Sequence, residues 1–160
     1  MTTTSEFRTA GPGDAEALTV LERDANLVAL AHVFPPEQHA YPFADVRARW
    51  RTTLADPAVT VRVVEGARGL EAYVAHDATT VRHLAVHPER WGRGLARAAV
   101  DLAVASIRAG GAVPRLWVLE ANHRARGLYE HLSWEPTGVR RASEWPPYPV
   151  ELEYELRSPR

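Results

Sequence analysis

Apolar positions along the chain change their spacing several times, and each change marks an element. Glu6 to Ala10 is long enough for a first strand, and Gly11-Pro12-Gly13 closes it. Asp14 stands where an N-cap belongs, and Ala17, Leu18, Leu21, Ala25 and Val28 follow at helical spacing. The spacing predicts a helix over about 14–29. Prolines 35, 36 and 42 then break regular structure between Val33 and Pro42. This loop is a connection or, through its aromatic and His side chains, a substrate contact. Val46, Trp50 and Leu54 share one face of a second predicted helix, 43–54, which Asp56-Pro57 ends.

From Val59 the period is two. Val59, Val61 and Val63 alternate with Thr60 and Arg62, and Leu70–Ala75 and Val81–Val86 predict two further strands. Short turns at Gly66-Ala67-Arg68-Gly69 and Asp77-Ala78-Thr79 make the three an antiparallel meander. Leu95, Ala98, Ala99, Leu102, Ala103, Ser106 and Ile107 return to helical spacing until Gly110-Gly111, a left-handed C-cap signal. Leu116–Leu119 is a short buried strand, parallel to the one before the helix because a crossover separates them. Asn122 caps a helix ending near His131, and Val139–Ala142 and Val150–Leu156 predict two last strands.

Composition narrows what this scaffold can do. At 160 residues, 46% hydrophobic and 24% charged, the chain suits one soluble domain over 1–160. A net charge of −1 gives no electrostatic reason to bind nucleic acid. No apolar run approaches the roughly 18 residues of a membrane span, and Met1–Glu6 lacks the pattern of a signal peptide. A cytoplasmic location is the expectation. Without cysteine there is no disulfide, thiolate nucleophile or Cys-ligated metal. All 19 basic residues are Arg, which excludes a Schiff-base lysine and the lysine of a P-loop. His32 and His39 straddle a proline loop and His83 and His87 lie at a strand end, so no metal is expected.

The stretch Leu84-Ala85-Val86-His87-Pro88-Glu89-Arg90-Trp91-Gly92-Arg93-Gly94-Leu95-Ala96-Arg97 joins a strand to a helix through glycines. Free N–H groups of a helix's first turn and its macrodipole attract anions there. A dinucleotide fingerprint fails at Arg97, where a third glycine belongs, and a P-loop fails for want of Gly-Lys-Ser/Thr. Asn122 and Tyr129 are seven apart, two helical turns, and Arg126 shares their face.

Trp91-Gly92-Arg93-Gly94-Leu95-Ala96 resembles the acyl-coenzyme A loop of the GCN5-related N-acetyltransferases (the GNAT superfamily), Gln/Arg-x-x-Gly-x-Gly/Ala. Gly94 and Ala96 match; Trp91 departs, with Arg90 as the alternative source of charge. Leu84-Ala85-Val86 and the following x-Pro resemble the family's strand before the loop. Asn122, Ala125 and Tyr129 resemble its later helix, and Ser133-Trp134 stands where Gly-Phe is usual. The resemblance implies a mixed, mostly antiparallel α/β sheet of six or seven strands with helices on both faces. It also implies a splay between the fourth and fifth strands, ending at Val86 and Leu119.

Acetyl-CoA would then be the co-substrate, its pantetheine paired with Leu84, Ala85 and Val86. Its pyrophosphate would lie on Trp91, Gly92, Arg93, Gly94, Leu95, Ala96 and Arg97, with Asn122, Arg126 and Tyr129 completing the site. An amine would attack the thioester directly, with the Val86 N–H meeting the oxyanion and Tyr129 protonating the departing thiolate. The general base is open: Glu120 is preferred over Glu71 and Glu151. Thr80 and Arg82 hold places where other members put a base, and alternation turns His83 to the opposite face. Trp117, Trp145, Tyr148 and Tyr41 are core residues or the walls of an amine pocket. A small-molecule amine is favoured over a protein N-terminus or lysine, because the chain shows no charged peptide-binding run. The rivals are a protein acetyltransferase, a non-catalytic acyl-CoA sensor of the same fold and a nucleotide-binding oxidoreductase. A homodimer through the C-terminal strands is implied at family level only.

Overall fold

Val61 and Val63 bury one face of β2 (Thr60–Gly66) and Val64 the other, and two tight turns fold it against β3 (Gly69–His76) and β4 (Thr80–Val86). A two-residue β1 (Arg8–Thr9) adds to the outer edge of β2. The computed structural model describes residues 6–157; Met1–Ser5, where no targeting signal is expected, lies outside the described residues. After the crossover helix α3 (Leu95–Ala109) comes β5 (Arg115–Leu119), parallel to β4 as expected. The hairpin of β6 (Glu135–Ala142) and β7 (Val150–Glu155) completes a seven-stranded sheet in the order β1-β2-β3-β4-β5-β7-β6.

β4 and β5 pair only through Thr80 with Arg115 and Val81 with Leu116. Beyond those pairs the strands diverge, which is the expected splay. Helices α1 (Ala15–Ala29) and α2 (Phe43–Ala55) cover one face, where Leu18, Leu21 and Trp50 meet Val61, Val63 and Tyr73. α3 and α4 (His123–His131) cover the other, packing Ala99, Ala103, Ile107 and Leu132 on Val74, Val81, Leu116 and Val118. Each fully buried side chain of the Leu or Val type contributes about 1.5–3 kcal/mol, so these two layers hold the fold.

Three local features differ from the pattern reading. Asp14 occupies the N-cap position of α1 but does not cap it; its carboxylate turns back to accept from the Gly11 N–H, closing the short turn 12–14, and from Arg8. Strand β6 begins at Glu135, four residues before the predicted start at Val139. It is an exposed edge strand interrupted by Pro136 and a shift in pairing before Arg140, so neither face imposes an apolar alternation. The third is a bulge. Ala75 pairs with His83 but His76 pairs with Val81, so Arg82 is an extra residue in β4. The bulge resets the alternation and puts His83 on the α1–α2 face, not the one expected.

Candidate active site

The splay leaves one edge of β4 without a partner strand. The His87 N–H bonds to Glu71 on β3, so the alternation of an antiparallel ladder turns the backbone groups of Leu84 and Val86 toward the gap. Gly92 and Gly94 then take φ of +77° and +82°, and no atom lies within 4 Å of where a Cβ would stand at either. Gly94 is the N-cap of α3, so the N–H groups of Leu95, Ala96 and Arg97 have no intrahelical acceptor. A cavity of about 440 Å³ runs along this edge, lined by Leu84, Ala85, Val86, Trp91, Gly92, Gly94, Leu95, Ala96 and Arg97 with Asn122, Arg124 and Tyr129. A strand edge without a partner strand, followed by a glycine turn at a helix N-terminus, suits an extended chain ending in an anion.

On the α1–α2 face lies a larger cavity of about 970 Å³. Phe34, His39 and Tyr41 of the α1–α2 loop wall it on one side, and Ser143, Glu144 and Trp145 of the β6–β7 loop on another. Trp117 of β5 also faces it, under the Arg141 guanidinium 4.0 Å from its ring centroid. Glu22 is a buried carboxylate in this wall. Arg49 donates to its Oε1, Tyr73 donates to Oε1 at 3.1 Å and Tyr41 to Oε2 at 3.1 Å. Burial and the nearby Glu22 charge push the Tyr41 and Tyr73 phenols above their usual range. His83, brought here by the bulge, packs edge-on to Trp50 at 5.5 Å. Burial, then the charges of Arg49 and Arg82, push its pKa down to about 3, so it is neutral near pH 7.

The two cavities meet. Asn26, Leu84, Asn122, Ala125 and Tyr129 line both. Asn122 caps α4 by accepting the Ala125 N–H at 3.1 Å, which fixes the helix that holds Tyr129. Tyr129 is 7% exposed, and burial raises its phenol well above the ordinary range, so it keeps its proton. Beyond the helix, Ser133 adopts φ +73° and the buried Trp134 packs edge-on to Tyr129 at 6.0 Å. The unusual pair thus fills the geometric places of a left-handed glycine and a core aromatic.

Not every expected residue joins them. Arg93 and Arg126 line neither cavity; Arg126 donates to the Glu120 carbonyl at 2.8 Å and to the Tyr154 hydroxyl at 3.1 Å. Glu120 lies outside both as well, in an ion pair with Arg140 at 2.8 Å. Arg90 lines the smaller cavity but is held by Glu71 at 3.0 Å. Trp117, Trp145 and Tyr41 face the larger cavity, whereas Tyr148 is exposed outside it. Glu22 escaped notice because its partners are 19 to 51 residues away in sequence. A polar residue on the apolar face of a predicted helix was the available signal. Among the described residues no three acidic or His side chains gather to hold a metal, and no helix is long and apolar enough to cross a membrane.

A strand with a free edge, a glycine turn into a helix and a buried tyrosine at the meeting of two cavities define an acyl-transferase type of site. Residues 8–134 match the Acetyltransferase (GNAT) family, and the chain belongs to that family. The mycothiol acetyltransferase of Beutenbergia cavernae is 38% identical over 143 residues, covering 83% of this chain and 46% of that protein. The chain therefore spans about half the length of that curated relative. A GCN5-related N-acetyltransferase structure from Rhodopseudomonas palustris superposes with a TM-score of 0.79 at 15% identity, over 97% of this chain and 96% of that one. The PaiA N-acetyltransferase of Thermoplasma acidophilum, solved in complex with coenzyme A, gives 0.65 at 12% identity, over 94% and 98%. These structural likenesses show a shared fold.

Proposed function

We propose that this chain is an acetyl-CoA-dependent N-acetyltransferase acting on a small-molecule amine held together with the donor. The observation behind this reading is the place of Tyr129, at the junction of two cavities of different character. The smaller one suits the donor: Leu84 and Val86 would pair with pantetheine, and the Gly92–Arg97 turn would receive the diphosphate. The larger one suits the acceptor. Its volume of about 970 Å³ lies near the top of the roughly 300–1,000 Å³ range of small-ligand pockets. Five carboxylates line it, Glu22, Asp45, Asp77, Glu144 and Glu151, against Arg49, Arg82 and Arg141. The three arginines pair with Glu22, Asp77 and Glu151, leaving Asp45 and Glu144 without an ion pair among the described residues. The surplus negative charge favours a cationic amine.

In the reaction the amine nitrogen bonds to the thioester carbonyl carbon and the carbon–sulfur bond breaks. The Val86 N–H stabilises the developing oxyanion. Tyr129 gives its proton to the leaving sulfur. The amine's own proton leaves on the larger cavity's side, by a water path or to Glu120, the remoter carboxylate, which is paired with Arg140. Holding both reactants at one junction supplies much of the acceleration.

Thiol release from acetyl-CoA, measured over polyamines, amino acids, aminoglycosides, aromatic amines and peptides, tests the reading. Turnover confined to small cationic amines supports it. Coenzyme binding with no release for any amine would make the domain an acyl-CoA sensor instead.

A further inference from the structure

Three arginines line the smaller cavity. Arg90 is bound by Glu71 at 3.0 Å, and the exposed Arg97 lies 4.0 Å from Asp101 on its own helix. Arg124 has no carboxylate partner among the described residues. Its guanidinium carbon lies over the Trp91 ring, 3.8 Å from the centroid. Trp91 is in turn anchored, its indole N–H donating to the Val86 carbonyl at 2.9 Å. A guanidinium held over an aromatic ring keeps N–H donors available to an anion. An unneutralised cation is thereby fixed beside the glycine turn. The loop's first position is Trp91, not a cation, the neighbouring Arg90 is committed to Glu71, and Arg93 does not line the cavity.

We propose that Arg124, seated on Trp91, is the cation that binds the diphosphate of the acyl donor. This rests on the acetyl-CoA reading given above. Arg124 supplies, from α4, the charge that the loop's first position lacks, and it ties the start of α4 to the start of α3 when the donor is bound. A guanidinium can take two oxygens of a diphosphate at once, which an ammonium cannot do with the same geometry.

Isothermal titration of the wild type and Arg124→Gln with coenzyme A, 3′-dephospho-coenzyme A and pantetheine tests it. One charge-assisted contact corresponds to a loss of about 10- to 100-fold in affinity. That loss is expected for coenzyme A and the dephospho form alike, with pantetheine unaffected and Arg124→Lys recovering only part. A variant that binds coenzyme A as the wild type does overturns the proposal, as does an equal loss for pantetheine, which would mean packing alone. A loss seen only with the 3′-phosphate present overturns the assignment to the diphosphate. Failure of the wild type to bind coenzyme A would instead remove the acetyl-CoA reading, and the proposal with it.

Discussion

Glu22→Gln tests whether a buried charge holds the wall of the larger cavity. Glu22 is 7% exposed, and its carboxylate accepts from Arg49, Tyr73 and Tyr41. The amide keeps the shape but turns one acceptor into a donor that faces other donors, and it strands the Arg49 charge. Removing one member of a buried ion pair costs about 3–5 kcal/mol. Arg49 retains 23% side-chain exposure, so water offsets part of this. The expected loss is about 2–4 kcal/mol after that discount, which lowers Tm by about 5–15 °C for a domain of this size. Urea unfolding of Glu22→Gln, Arg49→Met and the double variant would measure it, with a coupling of about 1 kcal/mol or more expected between the two sites. A Tm within 1 °C of the wild type (about the precision of the comparison), or strict additivity, would refute the reasoning. Activity supplies a second readout: Glu22 lines only the larger cavity, so the amine KM should rise with coenzyme affinity unchanged.

Tyr129→Phe should lower kcat by about 10²- to 10⁴-fold, the range of one general acid, with coenzyme binding kept; an unchanged kcat would remove Tyr129 from the proton path. His83 gives a pH signature. The unfolded chain protonates it below about 6.5, the folded chain only near 3, so its contribution to stability is complete above 6.5 and is lost as pH falls through that window. Urea titrations of wild type and His83→Asn from pH 7 to 4 should differ in slope by up to about 1.4 kcal/mol per pH unit; parallel curves would contradict the assignment. Ser133→Gly relieves a left-handed serine at φ +73°, so Tm should rise by about 2–4 °C in a thermal melt, roughly 1 kcal/mol.

The meander, the two amphipathic layers and the glycine turn were legible because each is written in local spacing. α3 shows this best: its buried Leu95, Ala99, Ala103 and Ile107 repeat with the helix period. Asn122 and Tyr129 were equally legible, since two helical turns fix their common side. What stayed hidden depends on long-range events. One extra residue at Arg82 sends His83 to the other face, and no alternation rule registers a bulge. β7 inserts between β5 and β6, an order that strand patterns do not encode. Arg126 shares the helical side of Asn122 but reaches back to the Glu120 carbonyl, a partner set by tertiary packing. The place of Arg124 depends on the indole it stacks upon, in a loop 33 positions earlier in the chain.

Only two residue pairs between β4 and β5 join the two halves of the sheet through backbone. In the free protein they are stitched chiefly by the core under α3, where Val74 and Val81 of one half meet Leu116 and Val118 of the other. A ligand that adds its own backbone along β4 turns that seam into continuous structure. At a concentration 100 times Kd it stabilises the whole by about 2.7 kcal/mol. Amide protons near Leu84 and Val86 would then exchange at rates set by ligand supply, which makes the rigidity of this domain a readout of the donor pool around it.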